Sequence, residues 1–476
     1  MELSQLIGQN ITDDFALERI VDDSRSVQAG DVFVLDIKVC PTGGEKFIDD
    51  ALAKGARAVI TNVEMPAQSK VYSHEDPGLL LSRFAADKFP HQVENIVGIT
   101  GTNGKTSVAW FYEQLLHHAG YKAASVGTLG VSYDGTVEST GYTSPTAPQA
   151  HHIISGLAAK NVSHVAMEVS SHALDQHRLD GFKFKAAAFT NITPDHRDYH
   201  GSMEAYLLAK QRLFSELLPE GATAVLNITR PESWPMAAIC KERGINVLTF
   251  GTYNAELVVK PTADAQGMQV DVLYGENKFK THLPLFGQFQ ADNLAAALGL
   301  AVATGVEWNA LMAALPHIKS AVGRMEVILS EKGGNKPTVV VDYAHTPDAL
   351  EKVIKALRGQ TSQKLFVLFG CGGDRDAGKR PMMGKIAADL ADVALVTDDN
   401  PRHEDAGKIR QEVLAASSKL QECADRAEAI KHLVHQAQEG DIVLLAGKGH
   451  ETGQIVGDEV LPFDDRAIAQ QVLESL

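Results

Sequence analysis

The segment Gly98-Ile99-Thr100-Gly101-Thr102-Asn103-Gly104-Lys105-Thr106 follows a run of apolar residues and precedes one with helical spacing. Glycines in such a strand-to-helix turn let backbone N–H groups converge on an anion at the positive end of the helix. A lysine there offsets phosphate charge and an adjacent hydroxyl can ligate magnesium, so Lys105 and Thr106 are the first candidates for chemistry. The spacing departs from the strict GxxxxGK(S/T) pattern, because Ile99 stands where the first glycine belongs. A purely structural turn is the alternative, and the strand–loop–helix setting disfavours it.

Two polar clusters lie downstream. Glu168 ends the apolar run of SHVAMEVSSH, where a carboxylate is well placed to hold Mg2+ in a phosphate-binding domain. Ser170, His172, Gln176 and Arg178 crowd just behind it. The second cluster is TNITPDHRDYHGSMEAYLLAKQRLF, residues 190–214. After Ser202, helical spacing puts Met203, Tyr206, Leu207 and Phe214 on an apolar side, and Lys210 falls on that side too. By side-chain physics alone such a lysine snorkels its ammonium to water. His196 and His200 could equally be helix-start or core histidines.

The elements around these residues alternate. DVFVLDI, FIDDALAKGA and RAVITN read as strand, helix and strand, with Phe47, Ile48, Ala51 and Leu52 as the buried stripe of the helix. This small α/β region ends near Lys88-Phe89-Pro90. ENIVGIT, SHVAMEVS and KAAAFTNIT read as central parallel strands. The helix after the glycine-rich turn closes at Gly120, a C′ residue. A further helix begins near Gly287, and the middle region ends at about Ala321 to Arg324. In the last third PTVVVDYAHTP, KLFVLFGCGGD, DVALVTDDNPR and DIVLLAGKGHE are strand-then-loop units with helices between them. The unusual residues come straight after each strand, at the sheet edge where ligands bind in open parallel sheets.

The expected fold is therefore α/β in three domains: residues 1–90, a central P-loop-type parallel-sheet ATPase domain at 91–322, and a Rossmann-like C-terminal domain at 323–476. The length of 476 residues agrees with about 150 residues per domain. A net charge of −16 argues against nucleic acid as a partner while leaving small anionic ligands open. The four cysteines are far apart, which excludes a disulfide scaffold or a zinc knuckle. Without a membrane-length apolar run or a signal-peptide start, the expectation is a cytoplasmic protein, and a monomer.

GTNGKT, then MEVSSHALDQHR, then TNITPDHRDYHGSMEAYLLAK resembles the Mur ligases, ATP-dependent amide-bond-forming enzymes of peptidoglycan precursor synthesis. The resemblance covers nearly the whole chain and is strongest to members that extend UDP-N-acetylmuramoyl-L-alanyl-D-glutamate by its third peptide residue. It implies that ATP meets Gly101, Thr102, Asn103, Gly104, Lys105 and Thr106, with Asn293 at the adenine and Arg324 and Asp342 at the domain junction. It implies Mg2+ held by Thr106, Glu168, His196 and Lys210, the lysine carrying a carbamate formed from CO2. A carbamate replaces a repelling cation with an anionic oxygen ligand. Lys105, Lys210, Glu168 and His196 are thus the implied catalytic set.

For the UDP-muramoyl dipeptide the resemblance implies Ser24, Arg25, Thr143, Ser144, Ser170, Gln176 and Arg178. For the incoming amino acid it implies Arg375, Asp399, Asn400, Arg402, Gly447 and Glu451, the last facing the distal ammonium. The motif Asp399-Asn400-Pro401-Arg402 matches members that accept meso-diaminopimelate, whose distal carboxylate a guanidinium can pair in bidentate fashion. Taken alone it is a turn with proline after asparagine. Two departures stand out: Gln290 replaces the family's usual Asn, and the loop IKVCPTGGEKF lacks the common DG form. L-Lysine as the amine, a folylpolyglutamate-synthase-like ligase, and a nucleotide switch protein are the rival readings. Arg402 opposes the first, the long N-terminal region and MEVSSH the second. The polar strand ends of the last third, and the lack of a guanine-selecting NKxD motif, oppose the third.

Overall fold

The computed structural model describes residues 1–40, 42–65, 69–328 and 336–476, and excludes the side chains of Arg197 and Asp198. The loop IKVCPTGGEKF runs through Pro41, which lies outside the described residues. The chain forms two compact units, one of Met1–Phe250 with Ala296–Leu311, the other of Gly251–Ala295 with Met312–Leu476.

The first unit opens with a four-stranded sheet. Its strands Val32–Leu35 and Ala58–Thr61 pair in parallel across the helix Gly44–Ala53. That helix buries Ile48 and Ala51 beneath the sheet, whereas Phe47 is exposed, contrary to the expected stripe. Gly44 and Ala51 mark the centre of the buried face, and a residue one position before Ile48 is turned about 100° away from it.

A larger sheet follows in the same unit. Its strands lie in the order Asn246–Gly251, Thr223–Asn227, Phe184–Phe189, Asn95–Thr100, His164–Glu168 and Ala123–Gly127, parallel throughout. Gly130–Tyr133 and Thr136–Glu138 extend it as an antiparallel edge. The central strands are buried along their whole length, as a sheet covered on both faces requires. The carboxyl ends of Asn95–Thr100, His164–Glu168 and Phe184–Phe189 therefore lie side by side, and they carry the glycine-rich turn, Glu168 and the 190–214 cluster. The helix Lys105–His118 ends at Ala119 with Gly120 at φ 89°, the expected C′ position.

In the second unit an antiparallel meander, Leu257–Asp264, Gly267–Tyr274 and Asn277–Leu283, accompanies a six-stranded sheet. In that sheet Thr338–Asp342, Ile442–Ala446, Leu365–Phe369 and Val393–Val396 are successive parallel neighbours. Alternate residues serve opposite faces. Val340, Val367 and Leu444 pack with Leu350, Ile354 and Met383, while Val339, Phe366 and Val443 pack with Ile430, Leu433 and Val472. Helices thus cover both sides, and the loops after these strands gather at one edge. Among the described residues no helix is long and apolar enough to cross a membrane.

Candidate active site

The glycine-rich turn is shaped by its neighbours. Gly101 has φ 149°, and a Cβ there would fall 1.9 Å from Thr190 Oγ1, so only glycine lets the two loops meet. Thr190 Oγ1 donates to the Asn103 carbonyl at 2.6 Å, and the Asn191 side chain both accepts from Asn103 N and donates to its carbonyl. Gly104, at φ 88°, begins the helix whose first residues are Lys105 and Thr106. The Lys105 ammonium donates to the Gly101 and Thr102 carbonyls, each at 2.9 Å. Thr102 shares a hydrogen bond of 3.1 Å with the Tyr206 hydroxyl.

Lys210 corrects the snorkelling expectation. It sits in the helix Met203–Arg212, which Ser202 caps through Ala205 N, and only 1% of it is exposed. Its Nζ donates to the Gly101 carbonyl at 2.9 Å and lies 4.4 Å from the Tyr206 ring centroid. Burial first, and the charge of Lys105 second, hold its pKa well below the usual lysine range, with Asp195 opposing. Both effects shift the balance toward the neutral, nucleophilic amine relative to a lysine in water.

Glu168 is buried, and a Cβ on Gly127 would collide with its carboxylate. Its oxygens accept from Thr128 N at 2.8 Å and Thr128 Oγ1 at 3.1 Å. Thr128 was not legible as a site residue; a threonine just past a Gly-ended strand carries no special pattern. His196, at φ 49°, is paired with Asp195 and meets the His172 ring edge-on at 4.8 Å. Among the described residues no group of three or more His, Cys, Asp and Glu is arranged to hold a metal ion. The expected magnesium set therefore depends on the Thr106 hydroxyl and on modification of Lys210. Its remaining chemistry suits the ion: Glu168 and Thr106 are hard oxygen donors, and among the described residues no cationic side chain is hydrogen-bonded to either Glu168 oxygen.

Five of the residues expected around the muramoyl dipeptide, Thr143, Ser144, Ser170, Gln176 and Arg178, form one connected network with Thr128 and Glu168. Thr128 Oγ1 also shares a hydrogen bond with Thr143 Oγ1, and Ser144 Oγ donates to the Glu168 carbonyl and accepts from Ser170 N. Arg178 reaches the Ser144 carbonyl at 3.0 Å and grips Gln176 Oε1, whose amide in turn donates to the Tyr199 hydroxyl. Ser24 is buried, whereas the Arg25 side chain is 87% exposed and paired with Asp23.

In the second unit Asn293 donates to Gln290 Oε1 at 2.8 Å, within the helix Phe289–Ala303. Gln290 Nε2 is buried with no hydrogen-bond partner among the described residues. The Arg324 guanidinium stacks on Tyr343 at 4.4 Å, and Asp342 accepts from the backbones of Met325 and Ala344. Burial pushes the Asp342 carboxyl upward, with Arg324 opposing.

The strand-end loops of this unit converge on a charged cluster. Gly447, at φ 112°, leaves room for Asp399, whose Oδ2 lies 2.8 Å from where a Cβ would stand. Asn400 Nδ2 donates to Glu451 Oε2 at 2.9 Å. Arg402, at φ 52°, uses Nη1 on the Gly373 carbonyl and on that of Asn400, and no described residue accepts from its Nε or Nη2. Arg375 is exposed in the loop after Leu365–Phe369. Sequence reasoning passed over Lys448, which is fully buried among these groups. The signal was present in GKGHE: a lysine two residues beyond a buried strand must find an anion or be expelled.

The chain matches the family description "Mur ligase middle domain" over residues 99–301 and "Mur ligase, glutamate ligase domain" over 323–449. It is 43% identical over 462 residues to the UDP-N-acetylmuramoyl-L-alanyl-D-glutamate–2,6-diaminopimelate ligase of Rhizobium meliloti (strain 1021), covering 96% of this chain and 94% of that protein. The protein of the same name from Zymomonas mobilis subsp. mobilis is 44% identical over 458 residues, 95% of this chain and 93% of the other. A solved structure of a ligase of that name superposes with a TM-score of 0.72 at 32% identity, covering 100% of this chain and 99% of its own.

Proposed function

The chain belongs to the Mur ligase family, and from that premise we propose that it joins meso-diaminopimelate to the D-glutamyl γ-carboxylate of UDP-N-acetylmuramoyl-L-alanyl-D-glutamate, using ATP. The observation that carries the choice of amine is that Arg402 and Glu451 both hydrogen-bond to Asn400, one to its carbonyl and the other to its side-chain amide. The first has guanidinium nitrogens engaged by no described residue; the second has a carboxylate oxygen, Oε1, in the same state. One group suits a carboxylate and the other an ammonium, which are the two charges at the far end of diaminopimelate. L-Lysine offers no distal carboxylate to Arg402.

In this reading ATP lies against Gly101, Thr102, Asn103, Gly104, Lys105 and Thr106, and Asn293, Arg324 and Asp342 also contact the nucleotide. The D-glutamyl carboxylate oxygen attacks the γ-phosphorus, forming an acyl phosphate as the bond to ADP breaks. The neutral amine of diaminopimelate then attacks the acyl carbon, its nitrogen gives up a proton to water, and the tetrahedral intermediate expels phosphate as the amide forms. Lys105 leaves its loop carbonyls to meet charge on the transferring phosphoryl oxygens. Ser24, Arg25, Thr143, Ser144, Ser170, Gln176 and Arg178 hold the muramoyl dipeptide. Arg375, Asp399, Asn400, Arg402, Gly447 and Glu451 surround the amino acid.

The neutral Lys210 amine adds to CO2, forming an N–C bond and releasing a proton, which leaves an anionic carbamate. With Thr106, Glu168 and His196, this carbamate would hold Mg2+, which supplies positive charge against the phosphoryl oxygens when bound. The functional division 1–90, 91–322 and 323–476 belongs to the same proposal. The test is phosphate release with ATP, the UDP-muramoyl dipeptide and either meso-diaminopimelate or L-lysine. Release with diaminopimelate and a ligated product of the matching mass supports the reading. Release that ignores the amine, or that prefers lysine, overturns it.

A further inference from the structure

We propose that Lys448 is a positioning and specificity-determining residue that presents Glu451 to the ammonium at the far end of the incoming amino acid. The inference rests on the reading of this loop cluster as the amino-acid site. Lys448 follows Gly447 at the end of the strand Ile442–Ala446, and its side chain is 0% exposed. Its Nζ donates to Asn400 Oδ1 at 3.0 Å and to Glu451 Oε2 at 3.3 Å, and lies 3.9 Å from Asp399 Oδ1.

The consequence for Glu451 follows from counting lone pairs. Oε2 receives both Lys448 and the Asn400 amide, while Oε1 accepts from no described residue. The carboxylate is thus fixed in rotation with one oxygen turned inward and the other left for a ligand. Its side chain is 31% exposed, so a ligand can reach it. Asn400 is itself committed: its Oδ1 accepts from Lys448 and from Ile455 N at 2.9 Å, and its Nδ2 donates to Glu451. Asn400 therefore transmits position rather than accepting a hydrogen bond from the substrate.

Charge supplies the second half of the argument. A wholly buried ammonium is costly unless anions surround it. Among the ion pairs of Lys448 itself, Asp399 and Glu451 bring two negative charges against its one, and the Arg402 guanidinium, held on the Gly373 and Asn400 carbonyls, is left to pair with the ligand's distal carboxylate, so an excess negative charge remains for the ammonium. An incoming ammonium neutralises that excess, and a neutral methylene in its place does not. Lys448 thereby orients the carboxylate without cancelling it.

The test compares meso-diaminopimelate with 2-aminopimelate, which keeps a reacting amine and the distal carboxylate but lacks the distal ammonium. Wild-type enzyme should favour diaminopimelate in kcat/KM. Lys448→Met should reduce that preference by about tenfold or more, through a higher KM for diaminopimelate, with the KM for ATP unmoved. Lys448→Gln, which retains a donor toward Asn400 without the charge, serves where the methionine variant does not fold, and the same loss of preference is expected. A folded variant that keeps the wild-type preference overturns the proposal. So does one that lowers kcat equally with both amino acids, the signature of a merely structural lysine. Wild-type enzyme that does not use diaminopimelate at all would instead overturn the proposed function.

Discussion

Lys105 and Lys210, although 105 residues apart in sequence, donate to one and the same acceptor, the Gly101 carbonyl, each at 2.9 Å. Two ammonium groups on one oxygen repel each other, and the more deeply buried of the two, Lys210, has its proton affinity lowered. Carbamylation would turn that repulsion into attraction, because an anion beside Lys105 replaces a second cation.

Lys210→Ala should therefore lose most turnover, and added short carboxylates should restore part of it by standing in for the carbamate. Incubation with 13C-bicarbonate should give a carbamate carbon signal in wild-type protein that the alanine variant lacks. Full activity in Lys210→Ala would end the assignment.

Lys105→Ala should lower kcat by about a hundredfold or more, as expected for removal of a charge that acts on the transferring group. Binding of diaminopimelate, measured by calorimetry, should stay near wild type. Loss of diaminopimelate affinity with kcat intact would assign Lys105 to the wrong ligand.

Arg402→Ala should lower kcat/KM for diaminopimelate while leaving ATP affinity unchanged. Arg402 is only partly buried, so the loss should be nearer ~2 kcal/mol, about thirtyfold, than the larger penalty of a fully desolvated pair. Use of L-lysine need not rise, because deleting a guanidinium creates no lysine site. The ratio of the two kcat/KM values, compared between wild type and variant, is the deciding measurement.

Stability should fall on mild acidification. His151 is wholly buried with neither ring nitrogen hydrogen-bonded to a described residue, stacked on Phe182 at 4.0 Å, and burial takes its pKa from 6.5 to about 4. His164 is shifted likewise, to about 4, also by burial. The unfolded chain binds these protons below about pH 6.5 and the folded chain does not until about pH 4, so stability present above 6.5 is lost between those values. Each histidine should contribute ~1–3 kcal/mol to this loss. Thermal midpoints measured from pH 7 to pH 4.5 should show it, and His151→Leu should flatten the slope. An unchanged slope in that variant would remove His151 from the account.

The local features were legible in sequence because each follows from short-range physics. Glycines at the turn before Lys105, Gly120 past the helix end, the helical spacing that begins after Ser202 and the short apolar runs of the last third all act within a few positions of themselves. Motif order carried the family, and family membership carried the candidate residues. Long-range packing decided the rest. Helical spacing put Lys210 on an apolar side but could not say whether its ammonium met water or protein; a carbonyl 109 residues away settles it. Phe47 obeyed the same spacing and is nevertheless exposed, because the sheet beneath its helix is contacted by Ile48 and Ala51. Lys448 was one letter in a glycine-rich motif until Asp399, Asn400 and Glu451 closed around it. A buried charge is defined by what surrounds it, and only the folded chain brings those groups together.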